Sequence, residues 1–191
     1  MSTWAWPPAS YAERQKPNGD LAPVRRQVTS TKAIDFTDLT PNNLGQLRRL
    51  NKELFPISYS ENVYKQVLHE DLQPICKLGL YNDIPVSNVC CRVDDGKDVA
   101  HCAIYIMTLG VLPAYRHLGI GTALLNLVLD AAAPGTKFNG RKVEKIYLHV
   151  HTTNDVAKQF YEKLGFKIVD TVADYYKHLT PNSAWLLEKT H

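Results

Sequence analysis

The chain has 191 residues, 45% of them hydrophobic and 21% charged, the size and balance of one ordinary folded domain with a modest appendage, which argues against a wholly disordered, collagen-like or coiled-coil chain. Lys and Arg number 22 against 19 Asp and Glu, and a formal charge of +3 is too small to point to DNA or another nucleic acid as partner. The excess falls in residues 1–33, where Arg14, Lys16, Arg25, Arg26 and Lys32 face only Glu13 and Asp20.

Residues 1–28 carry Pro7, Pro8, Pro17 and Pro23 with no period of 2 or 3.6, and read as a flexible basic arm ahead of a folded domain over residues 29–191. Trp4 and Trp6 are unusual for such an arm and read either as a docking element or as an unused terminus. In residues 32–39, Ile34 and Phe36 alternate with polar residues as in a half-buried strand. Thr40 as N-cap and Pro41 at the first helical position then predict a helix with Leu44, Leu47, Leu50 and Leu54 on one stripe, stopped by Pro56. Ser60 caps a second short helix bearing Val63, Tyr64, Val67 and Leu68. Two apolar runs, 75–81 and 84–93, are joined by Asn82 and Asp83, which is hairpin-turn chemistry.

Residues 102–111 give the strongest strand pattern, ending before Pro113. The helix opened by Gly119, Ile120 and Gly121 carries Leu124, Leu127, Val128 and Ala131 at helical spacing. Residues 145–151 alternate, with Ile146, Leu148 and Val150 on one face and Tyr147, His149 and His151 on the other. Asn154 caps a helix that ends at Gly165, and runs 166–172 and 184–187 supply two last strands. The predicted order is β-α-α-β-β-β-α-β-α-β-β.

Cys76, Cys90, Cys91 and Cys102 lie in apolar stretches without zinc-ligand spacing and read as reduced core residues, so no metal is expected. No run of 18 apolar residues and no signal-peptide layout is present, so neither a membrane partner nor a disulfide-forming compartment is expected, and the cytosol or nucleus is the expected location.

Arg116, His117, Leu118, Gly119, Ile120 and Gly121 make an R-x-x-G-x-G turn between a strand and a helix. A helix N-terminus offers unpaired N–H groups, and glycine allows close backbone approach, so the turn suits a pyrophosphate. Taken alone, it reads first as a tight turn. It lacks the third glycine of a dinucleotide fingerprint and the Gly-Lys-Ser/Thr of a P-loop.

The strand, the R-x-x-G-x-G turn, the helix, the next strand and the Asn-capped helix ending KLGF together resemble the Gcn5-related N-acetyltransferases, from about residue 32 to 187. Within them the chain resembles the NatE-type protein N-terminal acetyltransferases, through LFPISY at 54–59, YNDI at 81–84, CCRV at 90–93, YIMTLG at 105–110, YRHLGIGT at 115–122, IYLHV at 146–150, FY at 160–161 and DYYK at 174–177. It departs from them in the basic arm, in residues 137–145, and in His117, where relatives commonly carry a second Arg.

The resemblance implies an α/β fold with a mixed, mostly antiparallel sheet splayed between its fourth and fifth strands and flanked by about four helices. It implies acetyl-CoA as cosubstrate, held by the backbone at Leu109, Gly110 and Val111, by the turn from Arg116 through Gly121 to Thr122, and by Asn154 and Tyr161. Tyr105 and His149 are the expected pair for moving the amine proton, and Tyr161 the expected donor to the leaving thiolate. The acceptor slot is expected from Phe55, Pro56, Ile57, Tyr59, Met107, Tyr175 and Tyr176, favouring a retained N-terminal Met followed by an apolar residue. A free α-amine has a pKa of about 7.7–8.0, so a base acting through a water suffices near neutral pH.

The implied partners are nascent polypeptide N-termini and the NatA complex, a large helical auxiliary subunit with its catalytic subunit, with a ribosome contact through the arm. Two alternatives stay open, a lysine side-chain acetyltransferase and a non-catalytic acyl-CoA-binding subunit.

Overall fold

The structure, a computed structural model, describes residues 34–177 and 179–190. The expected arm at 1–28 with Trp4 and Trp6, and the domain boundary at 29, lie outside the described residues. Seven strands, β1 (Ile34–Asp38), β2 (Lys77–Tyr81), β3 (Ile84–Asp95), β4 (His101–Val111), β5 (Lys142–His151), β6 (Lys167–Val172) and β7 (Ala184–Thr190), form one sheet in the order β1-β2-β3-β4-β5-β7-β6. Every neighbouring pair is antiparallel except β4 and β5. The helices are α1 (Leu44–Leu54), α2 (Glu61–Gln66), α3 (Ile120–Ala131) and α4 (Asp155–Lys163).

The apolar stripes act as the spacing predicts. Leu44, Leu47 and Leu50 of α1 are buried, as are Ile120, Leu124, Leu125 and Val128 of α3, and each such side chain taken from water is worth about 1.5–3 kcal/mol. Asn82 and Asp83 both take positive φ, 47° and 64°, so the β2–β3 turn has the hand that matches strand twist. The four cysteines are free and buried, and burial pushes the Cys76 thiol up to about 12, which keeps it an unreactive thiol.

Several boundaries differ from the sequence reading. Helix α1 begins at Leu44, not after Thr40. The Asn43 side chain accepts the Thr40 N–H at 2.8 Å and donates to the Asp38 carbonyl at 2.8 Å, which ties residues 40–43 into a turn against the end of β1. Strand β5 starts three residues earlier than its alternation suggested, because Lys142 and Val143 already pair with His101 and Cys102. Strand β7 runs three residues further, to Thr190, along β5.

Two features of β4 shape the centre. Cys90 pairs with Thr108 and Cys91 with Ile106, so Met107 is an extra residue, a bulge. It puts Tyr105 and Thr108 on the same face, where strict alternation would oppose them. The β4–β5 ladder then stops at Tyr105 opposite Tyr147, while β4 continues to Val111 along β3 and β5 continues to His151 along β7. The sheet therefore opens as a fork, and the β5-side edge of β4 has no strand partner beyond Tyr105 among the described residues. A Cβ on Gly110 would meet Leu54 and Phe55, whereas the Val111 side chain touches the position of Gly121, so α1 and the start of α3 cover opposite faces of β4.

Candidate active site

Tyr105 on β4 and His149 on β5 stand on the two arms of the fork. The Tyr105 hydroxyl lies 3.2 Å from His149 Nδ1 and 2.8 Å from the Tyr175 hydroxyl. The Tyr175 ring stacks on the imidazole, with centroids 4.1 Å apart and planes 16° apart. Burial, and then the bond to Tyr175, push the Tyr105 phenol well above its ordinary value, so it stays protonated. Burial, and then the Arg92 charge, push the His149 imidazole below its usual range, so it is neutral at neutral pH. A neutral imidazole and a protonated phenol bonded to each other at an opening are suited to accepting and passing a proton.

Three side chains to which the sequence reading gave no role at the site surround Tyr105. The Arg92 guanidinium sits over its ring, 4.2 Å from the centroid, and donates to both Asp94 oxygens at 2.8 and 3.2 Å. Asp94 accepts the Tyr147 hydroxyl, and the Tyr147 ring lies 4.9 Å from that of Tyr105. Burial works to raise the Asp94 carboxyl, but the bonds from Arg92 and Tyr147 outweigh it and hold the group below its usual range. Tyr147 shares the strand face of His149, a sign the alternation carried.

The predicted acceptor residues fall into two groups. Phe55, Pro56, Ile57 and Tyr59 follow α1 and line an open cleft of about 420 Å³ with Arg48, Asn51, Lys52 and Tyr64. Phe55 meets Tyr59 edge to face at 6.1 Å. Tyr175 and Tyr176 follow Asp174, whose φ of 55° turns the chain, and Asn182 fixes the turn by donating to Asp174 at 2.5 Å and accepting the Tyr176 N–H at 2.8 Å. Burial first and the Tyr176 phenol second push the Tyr59 phenol up. Met107 is half-buried at its bulge.

The predicted cofactor residues surround the start of α3. Gly119 has φ 82° and His117 φ 63°, a reversal that aims the helix start outward. Arg116, His117, Leu118 and Thr122 are exposed, and Arg116 Nε donates to the Val111 carbonyl at 3.1 Å. The first backbone N–H bonded inside the helix is that of Ala123, to Gly119 at 2.9 Å, which leaves those of Ile120, Gly121 and Thr122 without helical partners. Asn154 accepts the Ala157 N–H at 3.1 Å and caps α4. Tyr161 is buried between Phe160 and Phe166, and burial raises its phenol. The structure brings Tyr105, His149 and Tyr175 together directly, while Tyr161 sits on α4 and Asn154 caps it, and Phe160 of α4 packs near Gly121.

Residues 44–166 match the Acetyltransferase (GNAT) family. This chain belongs to it. The chain is 45% identical over 157 residues to N-alpha-acetyltransferase 50 of Danio rerio, a match spanning 82% of this chain and 88% of the relative. A Drosophila melanogaster relative described as probable N-acetyltransferase san is 42% identical over 83% of this chain and 81% of its own length. The solved Arabidopsis thaliana Naa50 in complex with the bisubstrate analogue CoA-Ac-MVNAL superposes with a TM-score of 0.75 at 38% identity, covering 84% of this chain and all of that one. In agreement with the NatE-type resemblance of the sequence, this GNAT protein is an acyltransferase of the N-alpha-acetyltransferase type, and acetyl-CoA is its acetyl donor.

The residues present in this GNAT domain fit that donor. A Cβ on Gly121 would make only ordinary contacts, 3.5 Å to Val111 and 3.7 Å to Phe160, so packing does not demand glycine there, and its missing side chain leaves the helix start open to a pyrophosphate. The unpaired β4 edge at residues 107–111 suits pantetheine amides, which add to it as a strand would. Among the described residues, no group of three or more His, Cys, Asp or Glu is placed to hold a metal ion.

Proposed function

We propose that this enzyme acetylates the α-amine of protein N-termini that retain Met and carry an apolar second residue, acting on nascent chains at the ribosome in the cytosol. The observation that carries the reading is the Tyr105–His149 pair, bonded at 3.2 Å, at a fork flanked by apolar and aromatic residues. It is supported by the relative crystallised with CoA-Ac-MVNAL, an analogue whose peptide begins Met-Val.

Acetyl-CoA supplies an acyl carbon activated as a thioester. Backbone N–H groups at Ile120, Gly121 and Thr122, with Arg116, hold its pyrophosphate, and Asn154 on α4 completes that end of the site. Phe55, Pro56, Ile57 and Tyr59 on one side and Tyr175 and Tyr176 on the other grip the Met side chain above Met107. His149, neutral, takes the amine proton through a water as nitrogen attacks the acyl carbon, while Tyr105 orients that water and the imidazole. The C–S bond breaks, and Tyr161, kept protonated by burial, returns a proton to the thiolate. NatE-type resemblance supports a large helical auxiliary partner of the NatA kind.

The test is free-thiol release from acetyl-CoA with a Met-Leu peptide, its N-acetylated twin and a Ser-Glu peptide. Turnover confined to the free Met-Leu form supports the reading. Equal rates on the free form and on a blocked peptide carrying Lys would assign lysine acetylation instead, and no turnover with any peptide a non-catalytic role.

A further inference from the structure

We infer that Arg92, Asp94 and Tyr147 form a brace that positions the Tyr105 phenol for proton transfer, and so act as positioning residues for the reaction. The inference rests on the proposed role of Tyr105.

Arg92, Tyr105 and Tyr147 occupy one rung across three strands, with Arg92 opposite Tyr105 and Tyr105 opposite Tyr147. That rung is the last one β4 and β5 share, so Tyr105 is the point at which its strand loses a neighbour. A ring at such a place would have freedom on its open side. The structure holds it from both flanks: the Arg92 guanidinium covers its face at 4.2 Å and the Tyr147 ring lies against it at 4.9 Å. Asp94 links the flanks, accepting both Arg92 donors and the Tyr147 hydroxyl.

Three donated bonds reach the Asp94 carboxylate, one on Oδ1 and two on Oδ2, and the planar fork of Arg suits this bidentate task in a way that a Lys ammonium does not. None of the three is bonded to His149 or Tyr175, whereas Tyr105 is bonded to both. Apart from the Arg92 charge, which acts on the His149 imidazole directly, the brace reaches the proton-transfer pair through the ring it holds.

The test measures kcat and KM with a Met-Leu peptide at saturating acetyl-CoA for Asp94→Asn, Tyr147→Phe and Arg92→Lys, each alone and in a Tyr105→Phe background. Loss of alignment is expected to lower kcat by about 5- to 50-fold in the otherwise unchanged enzyme, with peptide KM within about twofold. In the Tyr105→Phe background the same substitutions are expected to change kcat by less than about twofold, because the hydroxyl they position is already gone. An equal loss in both backgrounds would make the cluster a support of the fold and overturn the proposal. Undiminished kcat in the three variants, with Tyr105→Phe impaired, would overturn the brace and leave the role of Tyr105 standing; undiminished kcat in Tyr105→Phe itself would overturn both. Tyr147→Phe removes a single oxygen and keeps the ring, so it carries the test if Asp94→Asn does not fold.

Discussion

Phe55 lies so close over Gly110 that a Cβ on the glycine would stand 3.0 Å from its ring and 2.9 Å from Leu54. The contact joins the first wall of the acceptor cleft to the strand segment assigned to the pantetheine. Gly110→Ala is expected to push the Phe55 and Leu54 side-chain ends outward, raising peptide KM several-fold with little loss of stability, since side-chain ends can shift where backbone cannot. Steady-state kinetics with a thermal melt checks this; unchanged KM would mean that Phe55 does not set the wall.

Gly121→Trp is expected to abolish acetyl-CoA binding while the protein stays folded. The glycine has room for a Cβ among ordinary contacts, so the backbone there accepts a side chain, and an indole would fill the approach to the free N–H groups of α3. Calorimetry with acetyl-CoA reads it, and retained affinity would remove this turn from the donor site.

Tyr105→Phe and His149→Ala are each expected to lower kcat by about 10- to 1000-fold with acetyl-CoA affinity nearly unchanged, as for groups that move a proton. Because they are bonded to each other, the double variant is expected to lose less than the product of the single losses. His149 is active when neutral and its pKa lies below the ordinary value, so activity falls as pH drops through a midpoint under about 6.5. The pH profile of kcat, compared between the unaltered enzyme and His149→Ala, checks the sign: an acid limb under about 6.5 in the first and absent from the second is expected, and one that His149→Ala retains would contradict it.

Much of this architecture was local enough to read. The Leu44, Leu47 and Leu50 stripe, the Asn82–Asp83 turn and the alternation from Ile146 to His151 depend on neighbours in the chain, and the structure has each of them. The start of α1 was misplaced because Asn43 bonds to Asp38 and to the Thr40 N–H, and a capping rule that favoured Thr40 and Pro41 did not weigh that competitor. The Met107 bulge and the Arg92–Tyr105–Tyr147 rung depend on the register between strands, which no spacing within one strand reveals. Tyr175 was legible as an aromatic near the acceptor, but its bond to Tyr105 arises from a loop folded back across 70 residues of sequence.

Acceptor choice gives the most discriminating expectation. Phe55, Pro56, Ile57 and Tyr59 on one side and Tyr175 and Tyr176 on the other present rings and apolar surface, and burial pushes the Tyr176 phenol up to about 12, so that phenol stays protonated near neutral pH. A Met side chain taken from water is worth roughly 1.5–3 kcal/mol, and an apolar second residue adds a similar amount. If even half of some 3 kcal/mol of that burial is realised in the transition state, a Met-Leu terminus exceeds a Ser-Glu terminus by at least about tenfold in kcat/KM. Phe55→Ala should narrow the gap chiefly by raising KM for Met-Leu, because the ring binds ground state and transition state alike. Parallel measurement of both peptides on both enzymes decides it: a preference below threefold in the unaltered enzyme, or one that Phe55→Ala leaves intact, would place selection outside this slot.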